Sequence, residues 1–185
     1  MTHHIQLPLT KEAAKSLKSG DAVYLTGTVY TARDAAHKRF VQLLQEGGEM
    51  PIEMDGAVIY YVGPTPPKPG QIIGSAGPTT SSRMDVYAPE LIRCGLRGMI
   101  GKGKRTSEVV EAMKESGAIY FGAIGGAGAL LAECIKSSEV VAFEDLGTEA
   151  VRKLEVERFP AVVLIDASGR DLYHDGREDY LTNGK

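Results

Sequence analysis

The sequence predicts an α/β protein with a mixed sheet and flanking helices. Two observations carry this expectation. Segments of helical apolar period alternate with short runs rich in β-branched and aromatic residues along the whole chain. Glycine, at 22 of 185 residues against a usual ~7%, closes several of the helical segments. Nothing repeats at a fixed period, and no low-complexity tail is visible.

In chain order, Thr10 is placed to cap a short helix, Lys11 to Ser19, stopped by Gly20. Asp21 to Tyr30, rich in β-branched and aromatic residues, reads as a strand. Ala32 to Glu46 reads as a helix closed by Gly47-Gly48, and Ala57 to Val62 as a strand. GPTPPKPG (63–70) is irregular, because its four prolines lack donors and fix φ. Gln71 to Ser75 is a further strand candidate. Met84 to Cys94 has helical period, but Pro89 must start, kink or break it. Gly98 to Ile100 is a short strand, and Thr106 opens a helix that ends at Gly117. Residues 118–121 form a strand, and Ala127 to Ile135 an apolar helix. Val140 to Phe143 and Ala161 to Ile165 are strands. A turn at 166–169 then leads to a hairpin return at Asp171 to His174.

Composition narrows the function. Hydrophobic residues are 43% and charged residues 24% of the chain, which fits a globular fold and no collagenous or disordered polymer. A net charge of -3 argues against a general nucleic-acid binder, which needs a basic face. No run of 18 apolar residues marks a transmembrane helix, and the first residues lack the apolar core of a signal peptide. Two cysteines, Cys94 and Cys134, make no disulfide framework, so a reducing cytoplasm is expected. The length suits one domain over residues 1–185.

Four segments have the composition of chemical sites. GMIGKGKRT (98–106) approaches the phosphate-binding pattern G-x4-G-K-[ST], but Arg105 stands where the magnesium-binding hydroxyl is required. What remains is either a basic turn with Lys102, Lys104 and Arg105 that favours an anion, or a solvated turn. FGAIGGAG (121–128) opens a helix after a strand, yet no register gives G-x-G-x-x-G. Its glycines allow close approach by a packed neighbour or by a ligand. GPTTSSRMD (77–85) sets four hydroxyls before Arg83 at a helix start, either an anion site or a multiply capped helix. In TARDAAHKRF (31–40), Arg33 and His37 share a helical stripe with Ala36, Phe40 and Leu44. They point into a cleft or interface with an acidic partner, or they are a snorkelling arginine and a structural histidine. No metal ligand set, iron–sulfur ligand set or Ser-His-Asp constellation is recognisable, so the chain is expected to bind no metal itself.

Five segments carry a resemblance beyond these readings. GTVYTARDAAHKR, GPTTSSRMD, GMIGKGKR, YFGAIGGAGALLA and FPAVVLIDASG resemble, in this order, one family. It comprises the C-terminal domain of class I fumarate hydratases and the β subunits of two-subunit fumarases and L-tartrate dehydratases. The resemblance covers nearly the whole chain. It implies a swivelling β/β/α domain and a heteromeric hydro-lyase, inactive without an α subunit that holds a [4Fe–4S] cluster. It implies reversible hydration of fumarate to L-malate, with L-tartrate dehydration as the alternative. By residue, it implies a proton-transfer role for Thr79 and substrate contacts for Arg33, Arg83 and Lys102. It assigns no role to His37 or Gly125. Apart from the resemblance, a non-enzymatic anion-binding module docked on a partner accounts for the same loops.

Overall fold

The computed structural model describes residues 2–123 and 128–176. Its strands are β1 (Thr2–Gln6), β2 (Ala22–Thr31), β3 (Val58–Tyr60), β4 (Gly98–Gly101), β5 (Ile119–Ala123), β6 (Ile135–Ala142) and β7 (Val151–Ile165). Its helices are α1 (Lys11–Ser16), α2 (Asp34–Gln45), α3 (Ala88–Arg93), α4 (Ser107–Ser116) and α5 (Gly128–Glu133). The expected α/β class with a mixed sheet and flanking helices is what the chain adopts. All seven strands join one sheet in the order β1-β2-β3-β4-β5-β7-β6. β1 to β5 run parallel, and β7 is antiparallel to β5, β6 and β2. Because β7 pairs with both β5 and β2, it closes β2, β3, β4 and β5 into a barrel-like ring.

The strand pleat sorts side chains between two cores. Val58, Tyr60, Ile100, Ile119 and Phe121 belong to one cluster with Leu25, Leu154 and Phe159. The alternate residues Ile59, Tyr61, Met99 and Tyr120 belong to the other. There they meet Phe40 of α2, Leu91 and Ile92 of α3, and Val109 and Met113 of α4. Strands buried on both faces read as short apolar runs, which is why β3, β4 and β5 are visible in the sequence.

Several boundaries differ from expectation for local reasons. β1 was not expected, since its two histidines and one glutamine show no strand composition. It exists because it pairs in register with Ala22–Thr26 of β2. Gln71–Ser75 forms no strand. The helical period at Met84–Cys94 divides into a 3-10 turn, Ser81–Met84, and α3, with Pro89 in the first turn of that helix. β7 begins ten residues before Ala161, with charged residues interrupting its alternation and Arg158 at φ 52° bending it. The helix expected to reach Ile135 stops at Glu133, and β6 begins there. The hairpin return reduces to one bridge, Ile165 with Asp171, before a helical turn at 172–176. Thr10 does cap α1, accepting from the Ala13 N–H at 3.1 Å, and Gly117 closes α4 in the left-handed region at φ 72°.

Candidate functional site

In sheets of parallel strands, ligands bind in the crevice beyond the carboxyl ends, where loops diverge. Here the loops after β2, β3 and β4 meet at that end, and backbone bonds fix how they meet. The Ala32 N–H donates to the Tyr60 carbonyl at 3.2 Å, tying the start of the Arg33 segment to β3. The Thr79 N–H donates to the Tyr61 carbonyl at 2.7 Å. The Ser81 N–H donates to the Lys102 carbonyl at 2.9 Å, and Thr80 bridges Lys102 in parallel register. Arg33, Thr79, Arg83 and Lys102 are therefore brought to one end of the sheet, although they span 70 positions of sequence.

Arg33 precedes α2 in extended conformation, so its side chain leaves the helix start instead of lying along it. It packs over Gly63, where a Cβ would come within 2.6 Å of Nη1 and 3.0 Å of Cδ. Only glycine leaves that room. Arg83 is half-exposed, and its Nε and Nη2 both donate to Asp34 Oδ2, at 3.0 and 2.6 Å. The other oxygen, Asp34 Oδ1, is buried and has no hydrogen-bond partner. Thr79 is half-buried and Lys102 exposed. Three cations from three loops thus lie at one end of the sheet, a charge pattern suited to an anion with more than one carboxylate. The acidic partner expected for Arg33 is Glu149, at 3.9 Å from Nε. Neither Glu149 nor Asp34 stands out in sequence. Asp34 reads there as an ordinary first-turn acid, and Glu149 lies in a segment without periodicity.

Beneath the loops lies a buried clamp that corrects the reading of 102–105 as a basic turn. Arg105 is buried rather than presented to an anion. Its Nε donates to Asp85 Oδ1 at 2.7 Å and its Nη2 to the Tyr61 hydroxyl at 3.2 Å. The guanidinium lies 5.3 Å from the Tyr61 ring centroid and 4.8 Å from that of Tyr120. Asp85 Oδ2 accepts from the Thr106 N–H at 2.7 Å, which supplies the cap of α4 that the Thr106 side chain does not make. Tyr120 completes the clamp, its hydroxyl bonded to Ser81 Oγ at 2.9 Å and to the Gly103 carbonyl at 2.8 Å. The loops carrying Thr79, Arg83 and Lys102 are therefore fastened to one scaffold. The sequence pattern G-x4-G-K is not a phosphate loop in the fold, because Gly98 and Gly101 lie within β4.

His37 is structural. It is fully buried, its ring 5.3 Å from that of Tyr61 and 6.3 Å from those of Phe40 and Tyr87. Nδ1 bonds to the Arg33 carbonyl at 2.8 Å, so His37 braces the turn that presents Arg33. Burial holds its pKa down to about 4, the hydrogen bond to Arg33 opposing the shift only in part. A lowered histidine pKa means that the fold binds the proton less readily than the unfolded chain. Stability is thus full above pH ~6.5 and falls as pH drops toward 4, by on the order of 3 kcal/mol. Thermal melts from pH 7 to 4 should show a shallower loss for His37→Leu than for wild type. Equal slopes would remove His37 as a source of the acid sensitivity.

Among the described residues, no group of three or more His, Cys, Asp or Glu side chains is placed to hold a metal. Cys94 follows α3 and Cys134 lies between α5 and β6, both as free thiols. These residues do not fit an iron–sulfur cluster. Residues 124–127, the centre of FGAIGGAG and the position of Gly125, lie outside the described residues. At the edge of that segment, a Cβ on Gly128 would come within 2.5 Å of Ser75 Oγ, so close packing accounts for that glycine.

The family model described as "Fumarase C-terminus" matches residues 2–176. "Fumarate hydratase 2" of Leishmania major is 42% identical over 157 residues, 83% of this chain and 28% of that protein. "Fumarate hydratase class I, anaerobic" of Escherichia coli (strain K12) is 43% identical over 152 residues, 80% of this chain and 28% of that protein. "Putative L(+)-tartrate dehydratase subunit beta" of Methanocaldococcus jannaschii is 38% identical over 173 residues, 90% of this chain and 89% of that protein. The chain thus spans little more than a quarter of the two fumarate hydratases and nearly all of the third relative.

Proposed function

Because the chain belongs to the fumarase C-terminus family, we propose that it is the β subunit of a two-subunit iron–sulfur hydro-lyase that reversibly hydrates fumarate to L-malate. The observation that carries this reading is the convergence of Arg33, Arg83, Lys102 and Thr79 at the carboxyl ends of the parallel strands. Hydration of fumarate passes through charge developing next to a carboxylate. Fixed cations stabilise that charge as it spreads onto the carboxylate oxygens. Arg33 and Arg83, on separate loops, suit two carboxylates of one small dianion, and Lys102 adds a third cation to the same end. Thr79 is assigned the proton transfer. Its backbone N–H is anchored on the Tyr61 carbonyl, at the same sheet end as Lys102, which supports assigning it this role.

A partner α subunit completes the site in this reading, and a [4Fe–4S] cluster is assigned to it, since the described residues of this chain offer no ligand set. Bound in the partner, such a cluster would supply a Lewis acid for the substrate hydroxyl. Ile72, Val86 and Leu130 are large apolar side chains left exposed, at 50%, 78% and 64%. The free thiols fit a cytoplasmic location. No helix among the described residues is long and apolar enough to cross a membrane.

L-Tartrate dehydration is the second reading, favoured by the 89% coverage of the archaeal relative named for it. The two substrates differ by a hydroxyl. Co-purification with the cognate α chain, followed by parallel assays on fumarate and L-tartrate, separates them. The proposed function expects the higher kcat/KM on fumarate, read as loss of its ultraviolet absorbance. A higher value on L-tartrate would transfer the assignment to the second reading.

A further inference from the structure

We propose that Glu149 is a positioning residue for Arg33, setting the orientation in which the guanidinium meets the substrate carboxylate. The proposal rests on the reading of Arg33 as a substrate contact. Glu149 ends the 3-10 segment Glu144–Glu149, just before β7. The buried Thr31 stitches the two chain segments together. Its hydroxyl accepts from the Arg152 N–H at 3.1 Å and donates to the Ala150 carbonyl at 3.4 Å. β2 and β7 pair directly below, with Tyr30 opposite Lys153. Arg33 and Glu149 therefore overhang the same end of the sheet from adjacent strands, two residues past Thr31 on one side and two before Val151 on the other.

The state of their facing atoms is the telling observation. Arg33 Nε and Glu149 Oε1 are both buried, both lack a hydrogen-bond partner, and lie 3.9 Å from each other. Buried polar groups are normally bonded, and an unmade bond between two that face each other marks a poised pair. A shift of about 1 Å would bring them to hydrogen-bond distance. Gly63, where a Cβ would come within 2.6 Å of Arg33 Nη1, leaves the guanidinium space that any other residue would fill. As a device for stability alone the pair is poor, since both side chains remain a quarter to a third exposed and form no hydrogen bond. As an anion next to an anion-binding arginine, Glu149 opposes substrate binding. What it adds is direction, because a carboxylate on the Nε edge fixes the plane of the guanidinium.

The test is a double-mutant cycle in the two-chain complex with Glu149→Gln and Arg33→Ala. Alone, Glu149→Gln should lower kcat about tenfold, with KM for fumarate unchanged or lower. In the Arg33→Ala background it should have no further effect. The same loss in both backgrounds would mean a merely structural contribution and would overturn the proposal, as would full activity of Glu149→Gln. If Glu149→Gln does not assemble, Glu149→Asp carries the same cycle with an intermediate loss. A wild-type complex inactive on both fumarate and L-tartrate would overturn the functional reading itself, which distinguishes that failure from loss of the Glu149 role alone.

Discussion

Replacing Arg83 by alanine in the two-chain complex is expected to reduce kcat/KM by about 10²- to 10³-fold, the scale for truncating one member of a hydrogen-bonded charge pair. The loss should fall on activity and leave the fold intact. Arg83 is half-exposed, and its structural partner Asp34 keeps about a third of its surface in solvent. An exposed pair of this kind contributes about 1 kcal/mol or less to stability. The melting temperature should therefore move little, and the complex should still form. Wild-type kinetics from Arg83→Ala would take this arginine out of the site.

Asp85→Ala should have the largest effect on stability. Asp85 and Arg105 are almost completely buried, and Asp85 also holds the first turn of α4 through the Thr106 N–H. Removing the carboxylate leaves a guanidinium buried among two tyrosine rings and the Met99 sulfur. Breaking a buried pair from one side costs about 3–5 kcal/mol. In a chain of this length that lowers Tm by on the order of 10 °C. Removing both charges, as in Asp85→Ala with Arg105→Met, should recover part of the loss, because no uncompensated ion remains. A single Asp85→Ala variant melting within a degree of wild type would mean that the clamp is not what fastens the loops.

How much of this was legible in the sequence depended on whether the cause was local. The runs at 58–60 and 119–123 are apolar because both faces are covered, and they show as strands without any knowledge of the fold. Gly117 and Thr10 announce helix ends because capping is decided within a few residues. β1 and the first ten residues of β7 were hidden because pairing with β2 forms them, not their own composition. Among the candidate site residues, Thr79, Arg83 and Lys102 sit in motifs rich in hydroxyls and glycines, which draw attention by composition. Asp34 and Glu149 could not be found that way. Each acquires significance only from an arginine distant in sequence, 49 positions away for Asp34 and 116 for Glu149. Arg105 misled for the same reason, since a basic run looks solvated until Asp85 and two tyrosines are folded around it.

Reconstitution from separately purified chains tests the central claim most directly. This chain and its cognate α chain would each be assayed for fumarate hydration alone and then after anaerobic mixing. Either chain alone should give negligible rates, and mixing should give rapid loss of fumarate absorbance, slowed about 10²- to 10³-fold when this chain carries Arg83→Ala. An α chain that hydrates fumarate equally well without this chain would contradict that claim.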